Sequence, residues 1–118
     1  MIATAEQVQE FQQTGFIVLP GFLCATQVAE MLEQVQRFVT DVIPTLAPEE
    51  AFYEDKSDLA TLKQIHRMCE HDSFFAKQMS GEWFRPLAES LLQSDVVAKN
   101  MQYFNKPPSI GKSTPPHQ

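Results

Sequence analysis

The side chains best placed to do chemistry gather at the end of the chain, where a loop delivers a histidine. Asn105-Lys106-Pro107-Pro108-Ser109-Ile110-Gly111-Lys112-Ser113-Thr114-Pro115-Pro116 runs into His117 and Gln118. Pro107-Pro108 sets extended geometry, Gly111 permits a tight reversal, and Pro115-Pro116 stiffens the approach to the imidazole. Rigid delivery suits a metal ligand, because coordination tolerates little positional error. One imidazole does not make a metal site, and the same pattern describes a proline-rich tail. The residues alone leave both readings open.

A second metal reading uses His66-x2-Cys69-x-His71, with Cys24 as a further donor. Structural zinc usually recruits a second, comparably tight ligand pair, and the sequence has none. Cys69 is expected to pack at the core boundary, and the two histidines to be surface or hydrogen-bonded groups. Cys24 near a helix start has no histidine close in sequence to act as a base. Ser109, Ser113 and Thr114 lack a nucleophile elbow, and Lys112 lacks a Gly-rich phosphate loop. Trp83, Phe84, Phe74 and Phe75 read as core, because no basic groove accompanies them.

These groups sit in a globular composition: 43% hydrophobic and 20% charged, with a net charge of -6. That charge argues against nucleic-acid and anionic-membrane partners. Every acidic residue lies at or before Asp95, so the terminal stretch carries only Lys99, Lys106 and Lys112 and would tolerate an anionic ligand. Two widely separated cysteines suit a reducing compartment. The N-terminus lacks the basic region and long apolar core of a signal peptide, and no apolar run is long enough to span a bilayer. A soluble cytoplasmic protein is expected.

The elements that must position the loop follow from local pattern. Thr4 and Gln7 fit a capping box for a helix over residues 4–13, and Gly15 supplies its stop. Phe16-Ile17-Val18-Leu19 predicts a short buried strand, closed by Pro20-Gly21. Val28, Leu32, Val35, Val39 and Val42 form one stripe of a helix over residues 25–43, which Pro44 ends. An acidic connector covers residues 45–60, with a short strand at residues 51–53. Residues 62–67 read as extended. Asp72 or Ser73 caps a helix carrying Phe74, Phe75 and Met79, which Ser80-Gly81 breaks. A further helix spans residues 83–92, with Pro86 in its first turn. Alternation over residues 96–104 predicts a long strand leading into the terminal loop.

Two segments carry a resemblance to a known family. Asn105-Lys106-Pro107-Pro108, Gly111 and Thr114-Pro115-Pro116-His117-Gln118 resemble the approach to the His-x-Asp metal motif of the phytanoyl-CoA dioxygenase family. Phe11-x3-Gly15-Phe16-Ile17-Val18-Leu19-Pro20-Gly21-Phe22-Leu23 is similar to that family's opening helix and first strand. The resemblance implies a non-haem oxygenase that uses Fe(II), with 2-oxoglutarate as co-substrate and O2, on a small-molecule substrate. It implies His117 as the first ligand of a two-histidine, one-carboxylate triad. Lys63 and Gln102 match positions of the 2-oxoglutarate pocket. The carboxylate expected two residues after His117, the distal histidine and the 2-oxoglutarate arginine match nothing here.

The fold class implied is α+β: N-terminal helices plus the first strands of a double-stranded β-helix, a jelly roll. Residues 1–118 then form a single partial domain, an N-terminal fragment expected to be inactive alone. The alternative is a non-catalytic helical module that binds a partner through the stripe from Val28 to Val42. Substrate identity and oligomeric state are not legible.

Overall fold

Thr4 opens the first helix by the reciprocal cap its pattern predicts. Its hydroxyl accepts from the Gln7 amide at 3.2 Å, and the Gln7 side chain accepts from the Thr4 amide at 2.8 Å. The resulting helix α1 (Ala5–Thr14) stops at Gly15, whose φ of 82° is costly for a residue with a Cβ. The Gly15 amide donates to the Phe11 carbonyl, satisfying one of the last turn's orphan acceptors. The computed structural model describes residues 1–81 and 83–116.

The buried strand expected at residues 16–19 does not form. Phe16 is 63% and Val18 73% exposed, and the described residues place no neighbouring strand beside them. An apolar run becomes a strand only where a partner supplies the hydrogen-bond ladder. The helix after it is α2 (Ala25–Arg37), which widens into a π-helical turn over Phe38–Val42 and then tightens into a 3-10 turn over Ile43–Thr45. Pro44 explains the change. In a continuous α-helix its ring would meet the carbonyl four residues earlier, and the wider turn moves that carbonyl away. The predicted stripe divides along its length, and Met31, which lies outside it, joins the packed part. Met31, Val35, Val39 and Val42 pack on the core, whereas Val28 and Leu32 remain exposed.

The sheet has three antiparallel strands in the order β1 (Ala51–Tyr53), β2 (Leu62–Ile65), β3 (Tyr103–Phe104). Ala51 faces Ile65 and Phe52 faces Gln64, but Tyr53 faces Leu62, so Lys63 is an extra residue in β2. This bulge resets the in–out alternation and lets Leu62 and Ile65, three positions apart, both be buried. The long strand expected over residues 96–104 is reduced to its last two residues. Among the described residues of this stretch, Tyr103 and Phe104 alone are paired in the ladder, and Met101 instead accepts from the Met68 amide at 3.0 Å, past the end of β2.

Phe38, Leu62, Ile65, Met68 and Phe75 form the core between the sheet and the helices. The Phe38 and Phe75 rings meet edge to face at 5.6 Å, and Phe75 meets Phe74 the same way at 5.2 Å. Two short helices supply Met68 and Phe75: α3 (Met68–His71) and α4 (Ser73–Ser80). Asp72 caps α4 by accepting from the Phe74 amide at 3.0 Å, and it pairs with Arg37 of α2 at 2.7 Å. Helix α5 (Phe84–Leu92) carries Pro86 in its first turn, as expected. It packs on α1, with Phe22 against Phe84 at 5.7 Å and the Ala3 amide bound to Ser90. Helices against a small antiparallel sheet make the described residues an α+β arrangement. None of their helices is long and apolar enough to cross a membrane.

Candidate functional site

The loop after β3 is fastened at its start to the central strand and again, at Lys112, to a side chain that follows β1. At its start the Asn105 amide donates to the Lys63 carbonyl at 2.7 Å, and the Asn105 side chain donates to the Leu62 carbonyl at 3.1 Å. Pro107 is buried. The Gly111 amide then closes a turn onto the Pro107 carbonyl at 2.9 Å. A Cβ at Gly111 would lie 2.8 Å from that carbonyl oxygen, so the reversal requires glycine at this point. Further on, the Lys112 amide makes a long hydrogen bond of 3.5 Å to Oε1 of Glu54.

Glu54 follows β1 and its side chain is only 7% exposed. Its Oε1 also receives the Lys63 ammonium at 3.2 Å. Hydrogen bonding from Lys63 holds the Glu54 carboxyl below the usual glutamate range, against the opposing effect of burial. Lys63 is thus a half-buried cation at the bulge of the central strand, with one contact of its ammonium made to the Glu54 carboxylate. Gln102 has a different partner: its Oε1 accepts from the Gln64 side chain at 2.8 Å. The structure therefore gives the two sequence-predicted pocket residues separate hydrogen-bond partners. His117, the predicted ligand, lies outside the described residues.

Sequence reasoning missed Glu54, which it counted within an acidic connector. Only its place directly after a short aromatic strand set it apart, and that is a weak signal. It also missed Glu50, which is 5% exposed and draws together Arg67 and His71. Both Arg67 Nη2 and Nε donate to the Glu50 carboxylate, the latter at 3.3 Å. Hydrogen bonding from Arg67 holds the Glu50 carboxyl low, and the pairing raises Arg67 in turn. His71 Nε2 sits 3.5 Å from Glu50 Oε2, buried and without a hydrogen bond.

The residues of the zinc reading are separated by these contacts. His66 stacks on Phe52 at 4.7 Å, His71 turns toward Glu50, Cys69 is half-buried, and Cys24 is exposed at the start of α2. Among the described residues no group of three or more His, Cys, Asp or Glu is placed to hold a metal ion. They do not fit an iron by themselves, so any ligand set has to draw on residues outside them.

Helices packed on an antiparallel sheet, with a proline- and glycine-shaped loop clamped to the central strand, thus frame the candidate site. A family model described as phytanoyl-CoA dioxygenase (PhyH) matches residues 11–118. The chain belongs to this dioxygenase family. No curated protein and no solved structure matches it.

Proposed function

We propose that the chain contributes to a non-haem, Fe(II)- and 2-oxoglutarate-dependent dioxygenase that uses O2 to hydroxylate a small organic or acyl substrate. The family match over residues 11–118 carries this reading. The iron would supply oxygen activation, and the protein would orient the substrate carbon toward it. His117 is the ligand assigned to this chain. In the same reading β1, β2 and β3 are early strands of a jelly-roll domain, and residues 1–118 are a single partial domain. His117 by itself, a single imidazole, would neither hold Fe(II) tightly nor support turnover.

Lys63 suits a carboxylate of 2-oxoglutarate on physical grounds. Its ammonium has three donor protons, its carbonyl is fixed by Asn105, and the bulge holds it on the central strand. Gln102 accepts through its oxygen, so its amide nitrogen is the atom this reading assigns to the pocket. Two cysteines that form no disulfide accord with a reducing, cytoplasmic setting. The competing helical module keeps little surface, because Val35, Val39 and Val42 already pack on the core.

The coding sequence after Gln118 should supply an acidic residue at the second position past His117, then a later histidine and arginine. Protein made from the whole reading frame should release succinate only with Fe(II) and 2-oxoglutarate present, and His117→Ala should abolish that release. Succinate formation that survives the substitution, or a non-acidic residue at that position, overturns the reading.

A further inference from the structure

Lys63 is held at both ends of its own length. Its carbonyl accepts from the Asn105 amide at 2.7 Å and its ammonium reaches Glu54 at 3.2 Å. Asn105 opens the terminal loop, and Lys112, midway along it, donates its amide to the same Glu54 oxygen at 3.5 Å. The start of the loop and its midpoint at Lys112 are therefore joined through the Lys63 side chain and the Glu54 carboxylate. Between them the Pro107-to-Gly111 turn leaves no room for a side chain at Gly111. A largely covered carboxylate is costly to leave without donors, and Lys63 and the Lys112 amide are the two that reach the same Glu54 oxygen.

We infer that Glu54 is a positioning residue, which aims the Lys63 ammonium and seats the loop that leads to His117 as a single unit. It acts by fixing the cation that a carboxylate ligand meets and the loop that borders it. Only the ligand half of this inference rests on the proposed dioxygenase function, because the loop contacts stand without it.

The test is backbone amide hydrogen exchange on the whole chain, paired with 2-oxoglutarate titration by calorimetry. Glu54→Ala should speed exchange at Asn105, Gly111 and Lys112 by about fivefold, the loss of roughly one hydrogen bond. Amides of α1 and α5 should not change, which separates loop release from general loosening. Glu54→Gln keeps an acceptor and should restore protection at Lys112. Where the wild-type chain binds 2-oxoglutarate, Glu54→Ala should weaken binding several-fold, and Lys63→Met should weaken it further. Unchanged loop exchange in Glu54→Ala overturns the inference, as does equal acceleration throughout the chain. Loop acceleration together with no 2-oxoglutarate binding by Fe(II)-loaded protein made from the whole reading frame upholds the positioning role and counts instead against the co-substrate reading.

Discussion

Glu50 keeps its negative charge while almost wholly out of water, and that fact sets how the chain responds to acid. Arg67 holds its carboxyl below the ordinary glutamate value of 4.5. A lowered folded-state value means the unfolded chain takes up protons first as pH falls. The stabilisation is therefore complete above 4.5 and is lost as pH drops through the lower folded value, and Glu54 behaves in the same sense. Thermal unfolding should be flat in pH near neutrality and fall steeply in acid. Glu50→Gln should lower the midpoint at neutral pH, because Arg67 loses its carboxylate, and should flatten the acid limb. An acid limb that stays as steep in Glu50→Gln would remove Glu50 from this role. None of this was legible in the sequence. His66, Cys69 and His71 stand out by spacing, yet the group that organises their neighbourhood comes from a distant turn of ordinary composition.

At the scale of elements, Asp72 serves two of them at once, capping α4 and pairing with Arg37 of α2. Asp72→Ala should cost about 1–2 kcal/mol in denaturant unfolding, the usual loss for a cap with no replacement. Asp72→Asn keeps the cap and loses only the charge on Arg37, so it should cost clearly less. Equal losses in the two variants would show that the ion pair outweighs the cap. Caps and stops were readable in advance: Thr4 with Gln7, Gly15, Asp72 and Gly81 all stand where expected, because each acts on backbone groups within a few residues. Strands were not. Residues 16–19 have the composition of a strand but no partner, and residues 96–104 alternate over a length that β2 cannot match. Ladder partners are set by distant chain, which a local pattern does not record. The π-helical turn before Pro44 was likewise read only as an ending.

Across the whole molecule, the core is small and the exposed apolar surface is large. The radius of gyration is 16.3 Å. A compact domain of this length would measure about 13 Å. Phe38, fully buried where α2, the sheet and α4 meet, should be the costly position: Phe38→Ala is expected to lose about 3–5 kcal/mol. Leu32 is 65% exposed on the same helix path. Leu32→Gln should change stability by less than about 0.5 kcal/mol, and a larger loss would mean that the face is covered in solution. The α+β class was legible from the mix of helical and alternating patterns. The closed barrel was never in those patterns and entered through family resemblance alone.

The bulge in β2 has a further consequence. With Lys63 deleted, the ladder would still set Tyr53 opposite Leu62 and Ala51 opposite Ile65, so both inward residues would stay inward. The strand could close one residue shorter without reshuffling its interior. The β1–β2 pairing thus does not depend on that lysine, but Glu54 and Asn105 do: a chain lacking it should keep its strand register and lose its hold on the segment that follows β3.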